Sequence, residues 1–338
     1  MLLGWGIIGI GTHSERFLAP AIQNAENGEL AAVCSRNMKR ATEFADKHGA
    51  KRAYDSYAAM LDDSAVDVVY VGTPNWLHPQ HTIEAARAGR HVLCEKPMAN
   101  VEEDCVEMLE VCEEYNVKLG IDYQNRFHPA HVEVRRLLEE GHLGQVKVAK
   151  AQYCQGFLKG HWGGWRNDPI KAGSGALSAT AVHAIDLLRF VLDSEVETVS
   201  GVCPTQTDYH EVDEMVYAIL DFACGTFGVV VSGILAPRSD NDLVLYGERA
   251  KVKCKGTVGM PLQGTLSVEG DSVNLKMSFP SPVPHFGCYT RIVEAFGASI
   301  EDDTEFFSSG ENGLQMVRLG CAILRSSEKG KAIRISGD

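Results

Sequence analysis

Glu95-Lys96-Pro97 sets a lysine between a carboxylate and a proline. Proline biases the residue before it toward extended backbone, so Lys96 is expected at the carboxyl end of a strand over 91–94. An ammonium held there can donate to a substrate oxygen and stabilise the charge that develops as an alcohol loses its proton, with desolvation and Glu95 setting its pKa. A Lys-Pro pair is also an ordinary exposed turn. Further along, His183 sits in a helical pattern opened by Gly173, Ser174, Gly175 and Ala176. Imidazole titrates near neutrality, which suits proton removal from an alcohol, although a single helical histidine is equally an ordinary packed residue.

A second constellation lies at the amino end. Gly9-Ile10-Gly11-Thr12-His13-Ser14 follows an apolar strand pattern and precedes a helical one. Gly9 permits a tight turn, Gly11 lets the backbone approach a pyrophosphate, and small Ser14 stands where close helix–strand packing excludes bulk. About twenty residues on, where NAD enzymes place an acid against the ribose hydroxyls, the chain has Ser35 and Arg36 with Lys39 behind them. A hydroxyl, a guanidinium and an ammonium suit a 2′-phosphate, so NADP is favoured. Arg36 stacked on adenine with Lys39 solvated would accommodate NAD instead.

The substrate side is expected among aromatic and polar residues. Trp162, Trp165 and Arg166 lie in a run of polar and glycine residues before the histidine helix, and two indoles there suit the C–H faces of a carbohydrate. They also suit a loop packed onto a sheet. Tyr123 and Arg126 open the second part of the chain and Tyr153 lies on a strand pattern. Arg126 can bind a substrate carboxylate or phosphate, or form a structural pair. Asp186, one helical turn after His183, can orient it, cap the helix or form a salt bridge.

The elements that must position these residues fall into two textures. Strands over 3–9, 29–34, 67–71, 91–94 and 118–122 alternate with helices to about 24, over 38–48, over 78–88 and after Asn100, which is expected to cap a helix. That alternation predicts α/β architecture with an N-terminal Rossmann, doubly wound parallel sheet over 1–122. The remainder, 123–338, begins with a helix over 131–140. Strands then follow over 146–155, 215–222, 226–232, 242–246 and 273–277, with helices over 180–192 and 314–326. This predicts a C-terminal α/β domain with a large open, mostly antiparallel sheet.

Composition narrows the partners. Among 338 residues, 32 Lys and Arg against 45 Asp and Glu give a net charge of −13, which repels nucleic acid and anionic membranes. The glycine-cut start lacks the flanks of a signal peptide, and no later apolar run is expected to cross a bilayer. None of the 10 cysteines pair as C-x-x-C, so buried free thiols in a reducing cytoplasm are expected, with no metal site.

Taken in order, several pieces resemble the Gfo/Idh/MocA oxidoreductase family over nearly the whole chain. These are the glycine turn, Val71-Gly72-Thr73-Pro74-Asn75 with His78, Glu95-Lys96-Pro97, and Arg126-Phe127 with Pro129. Gly175-Ala176-Leu177 with His183-Ala184-Ile185-Asp186, and Ser309-Gly310-Glu311-Asn312-Gly313, complete the set. The resemblance implies a nicotinamide cofactor, hydride transfer at a sugar, cyclitol or polyol carbon, and homodimers or homotetramers built through the sheet. It implies cofactor contacts from the glycine turn, Ser35, Arg36, Lys39, Thr73, Pro74, Asn75, His78, Glu95 and Lys96. It also implies a cis bond before Pro97, Lys96 on the reacting oxygen and His183 as acid/base. One position departs: the family usually has an aspartate four residues before this histidine, and this chain has Ala179. Two other readings therefore accompany the dehydrogenase: a dinucleotide-binding sensor or scaffold, and a redox-cycling glycosidase or epimerase with no net cofactor change.

Overall fold

The structure, a computed structural model, describes residues 2–157, 163–259, 263–279 and 287–335. Its first sheet contains β1 (Leu3–Ile8), β2 (Gly28–Cys34), β3 (Arg52–Tyr54), β4 (Val68–Val71), β5 (His91–Cys94) and β6 (Leu119–Ile121). All pairs are parallel, in the order β3-β2-β1-β4-β5-β6, the doubly wound arrangement expected. Such strands are covered on both faces, which is why β4 reads as an unbroken apolar run with all four residues 0% exposed. Burying each of those side chains contributes roughly 1.5–3 kcal/mol.

The crossover helices carry their own start and stop signals. Met38–His48 opens on the Asn37 side chain, which accepts from the Arg40 N–H at 3.1 Å, and closes on Gly49 at φ 63°. Its Ala41, Phe44, Ala45 and His48 are buried, the 3.6-residue stripe that faces a sheet. Glu102–Glu114 holds Glu102, Glu103 and Asp104 in its first turn, but its N-cap is Val101, so Asn100 does not play the capping part expected of it. The short strand β3 and the helix Tyr57–Leu61 were not expected, being too brief for a periodic signal.

The second sheet contains β7 (Val146–Cys154), β8 (Val196–Val202), β9 (Met215–Phe222), β10 (Phe227–Gly233), β11 (Leu243–Gly247), β12 (Ala250–Lys255), β13 (Gly264–Gly270), β14 (Asn274–Phe279) and β15 (Ile333–Arg334). Its order is β14-β13-β12-β11-β7-β10-β9-β8-β15, antiparallel throughout except where β7 meets β10. The helix Val182–Leu192 covers one face and is buried over ten of its eleven residues. By length and composition the stretch Pro169–Leu192 could span a membrane, contrary to expectation, but 83% of its apolar window is buried inside the protein. A core helix meets the same test.

The chain divides into two compact units, Met1–Gln124 with Phe286–Val317, and Asn125–His285 with Arg318–Asp338. The helix Gly287–Glu301 returns to the first unit because its aromatics pack there: Tyr289 stacks on Phe17 at 5.2 Å and Phe296 lies 6.2 Å from Trp5. Phe296 and Phe306 also close over Gly120, where a Cβ would lie 2.9 Å from both rings.

Candidate active site

In the first unit the chain leaves β1 through Gly9, at φ +89°. A Cβ there would sit 2.4 Å from the Gly72 carbonyl oxygen, so any other residue forces the two turns apart. The Gly11 N–H donates back to the Gly9 carbonyl at 2.8 Å, and Ser14 Oγ donates to the same oxygen at 2.7 Å. A Cβ on Gly11 would meet nothing within 4 Å. This open space, at the start of a helix over 12–24, is where a pyrophosphate can approach bare backbone. Within that helix Ser14–Leu18 is π-wound.

Arg40, which sequence reasoning passed over, donates from its guanidinium to the Ile10 carbonyl at 2.8 Å and brings a positive charge to the turn. Its signal was its place one turn into the helix that follows Arg36. At the end of β2, Ser35 is half-buried, while Arg36 and Lys39 are exposed. Lys39 lies 3.9 Å from Glu43.

At the ends of β5 and β6 a compact polar cluster forms. The Lys96–Pro97 bond is cis. Glu95 accepts from the Tyr70 hydroxyl and, at 3.2 Å, from the Lys96 N–H, and His13 Nε2 lies 2.8 Å from it. Burial alone would raise the Glu95 carboxyl, but His13, Lys96 and Tyr70 outweigh it and hold the group well below the ordinary carboxylate range. Asp122 follows β6, is 1% exposed, and is anchored by its own N–H to the Cys94 carbonyl at 2.9 Å. Burial and then the charge of Glu95 push its carboxyl far up. His78, 1% exposed, links Thr73 O and Pro97 O through its two ring nitrogens, each at 2.8 Å. Burial lowers its pKa while the two carbonyls, both of which can only accept, favour the doubly protonated ring; a neutral ring donates to one of them.

In the second unit, Asp213 organises the entry to the histidine helix. Its carboxylate accepts from Gly175 N at 2.6 Å and Leu177 N at 2.7 Å, and burial raises its pKa. Gly175 is required there, because a Cβ would lie 2.1 Å from the Asp213 carbonyl oxygen. The chain then winds as π-helix over Leu177–Ala181 before continuing as α-helix. His183 is 5% exposed, its ring 5.6 Å from Tyr153 in an edge-on contact. Tyr153 accepts from the Gln155 amide and packs against Gly259, where a Cβ would lie 2.0 Å from its ring. Trp165 is half-buried with Arg166 lying 4.6 Å above its ring.

Residues 3–123 match the oxidoreductase family with an NAD-binding Rossmann fold, and residues 131–253 match the GFO/IDH/MocA C-terminal domain. The chain belongs to the Gfo/Idh/MocA oxidoreductase family. It is 29% identical to the 1,5-anhydro-D-fructose reductase of Ensifer adhaerens over 98% of both chains. It is 32% identical to the trans-1,2-dihydrobenzene-1,2-diol dehydrogenase of Danio rerio over 84% of this chain and 82% of that one. The aldose-aldose oxidoreductase from Caulobacter crescentus complexed with glycerol shares the fold with a TM-score of 0.89 and 27% identity, covering 99% of this chain and 100% of its own.

Within this Gfo/Idh/MocA member, the predicted site residues separate into those presented at strand ends and those committed elsewhere. Gly9, Gly11, His13, Thr73, Pro74, Glu95 and Lys96 cluster at the carboxyl ends of β1, β4 and β5, the edge at which doubly wound sheets bind ligands. Ile10 and Asn75 are buried and Thr12 is exposed. Tyr123 is 1% exposed. Arg126 is not available to a substrate acid: 3% exposed, it forms a bidentate pair with Asp186, Nε–Oδ2 2.9 Å and Nη2–Oδ1 2.5 Å. That same pair engages Asp186, so it does not orient His183. Trp162 lies outside the described residues.

Proposed function

We propose that the protein is an NAD(P)-dependent dehydrogenase or reductase acting on a carbohydrate-like alcohol or ketone. The observation that carries this reading is the glycine turn with clear space at Gly11 beside an E-K-P lysine, in a chain of this family. Relatives named for an anhydro-sugar ketone and a cyclic diol support a polyol-like substrate. The nicotinamide, when bound, supplies or takes up the hydride. Gly9 to His13 and the helix start hold the phosphates, Lys96 donates to the reacting oxygen, and His183 moves its proton. Tyr153, Trp165 and Arg166 line the substrate side.

NADP is the preferred cofactor, because Arg36, Lys39 and Arg40 bring three cations to the turn region and Ser35-Arg36 offers no carboxylate at the strand end. Arg36→Ala is expected to weaken NADP relative to NAD by roughly 1–3 kcal/mol, about 5–150-fold, in fluorescence titrations with both cofactors. Equal weakening of the two overturns the 2′-phosphate assignment.

The chain acts as a homodimer or homotetramer. On the open face of the second sheet Tyr217, Ile219, Phe227 and Tyr246 are each at least 40% exposed, and the register sets them on one side of β9, β10 and β11. An apolar face of this kind favours burial against a second copy. Sedimentation velocity is expected to show an oligomer that Ile219→Lys dissociates; an unchanged oligomer removes this face from the assembly. All 10 cysteines are free, which supports a cytoplasmic location.

The deciding experiment incubates the protein with NADP or NAD and a panel of sugars, cyclitols and anhydro-sugars while following reduced-cofactor absorbance. Net cofactor turnover supports the proposal. Product without net cofactor change places the protein with redox-cycling enzymes. Measured cofactor binding with silence across the panel makes it a sensor, the reading that Ala179 motivates.

A further inference from the structure

Asp122 presents a problem that the oxidoreductase reading does not solve. Both its carboxylate oxygens are buried, and no N–H or O–H of the described residues donates to either. The Glu95 carboxylate is its near neighbour, and one oxygen from each lies with a His13 ring nitrogen in a group whose atoms are all within 4.8 Å. Two carboxylates side by side, the buried one without a donor, do not both remain ionised. Glu95 already has Tyr70, His13 and the Lys96 N–H around it. The proton therefore belongs on Asp122, whose O–H then donates to Glu95 and satisfies both groups.

We propose that Asp122 is a positioning residue that holds one proton against Glu95, so that the two carboxyls present a single negative charge to the Lys96 ammonium. Two full charges would draw that ammonium into a tight ion pair and remove it from a substrate oxygen. One charge attracts the ammonium less strongly than two. The other groups that face Asp122 fit this assignment. Tyr70 is held in its neutral form by burial and then Glu95, Cys288 is pushed by burial up to about 12, and Tyr289 lies beside His13 at 5.4 Å. Burial and the Glu95 charge hold the proton on Asp122, and the Lys96 ammonium works against it.

This assignment rests on the role proposed for Lys96, but its test needs no turnover. Infrared spectra of the intact protein at pH 7 are expected to show the C=O stretch of a protonated carboxylic acid, absent in Asp122→Asn. The pH at which that band disappears should rise in Lys96→Met, because the ammonium is the group that favours the ionised form. A structural Asp122 uncoupled from the lysine would not shift.

Denaturant melts give an independent arm. A raised native pKa means that wild-type stability is full below the ordinary carboxylate range and declines as pH rises toward the native value. Asp122→Asn removes that decline. The ratio of folding constants, variant over wild type, should therefore rise about tenfold per pH unit above the ordinary carboxylate range, until the raised native value is reached. A missing acid band at pH 7, a band that ignores Lys96→Met, a flat ratio, or a stoichiometric divalent metal lost in Asp122→Asn each overturns the proposal. Silence on every sugar leaves it standing.

Discussion

Lys96→Ala is expected to lower kcat on the active sugar by about 10²–10³-fold, while denaturant stability changes little. The asymmetry follows from where the lysine sits. It is half-buried at the end of β5, its backbone N–H bonded to Glu95, in a turn also held by the Glu95 N–H on Val71 O and by His78 on Pro97 O. None of those bonds uses the ammonium, so the turn survives its removal. In the proposed role, what disappears is a donor to developing negative charge, which is worth about 3–4 kcal/mol in water-excluded sites. Lys96→Met, which keeps the stem and removes only the charge, should show the same loss. Steady-state kinetics with cofactor titrations check the result. A variant that retains turnover within about threefold, with KM alone changed, would move the lysine from chemistry to simple binding.

The sequence made the first unit readable because its signals are local. A parallel strand buried on both faces must be an apolar run, and the helix Met38–His48 announced itself through Asn37, the Ala41–Phe44–Ala45–His48 stripe and Gly49. The glycine turn was legible for the same reason, since its φ and its closeness to Gly72 are properties of a few neighbouring residues. In the second sheet β12 escaped notice. Its Lys251, Lys253 and Lys255 alternate outward from Val252 and Cys254, so charge obscured a true period of two. β8 and β13 likewise mix glycine and polar residues into short strands.

The cluster behind the lysine was illegible for a different reason. Glu95 and Asp122 are brought together by the pairing of β5 with β6, and the contact of Tyr289 with Phe17 joins positions far apart in the chain. Asp213 and Gly175 meet across a similar gap. Nothing in residue type or spacing names such partners. Sequence reasoning could name Glu95 beside Lys96, but not Asp122, Tyr70 or His13 behind it.

Arg126 shows how far a side chain's meaning depends on such a partner, and Arg126→Met is expected to cost the protein about 3–5 kcal/mol. The guanidinium and Asp186 are 3% and 1% exposed and share two parallel hydrogen bonds, with the Phe190 ring 5.7 Å from the charge. Removing the cation leaves a carboxylate in the core of the helix that carries His183. Arg189 cannot take over, because its Nη1 is 4.0 Å from Asp186 while its Nε and Nη2 are engaged by Glu195. At roughly 2–4 °C per kcal/mol for a unit of this size, the transition should fall by about 10 °C. Asp186→Leu added to Arg126→Met should recover most of the loss, since replacing both charges by apolar groups removes the unpaired one. Calorimetry of the two variants separates the roles: an arginine that bound substrate would leave the transition in place and raise KM instead, and that outcome would return Arg126 to the substrate side.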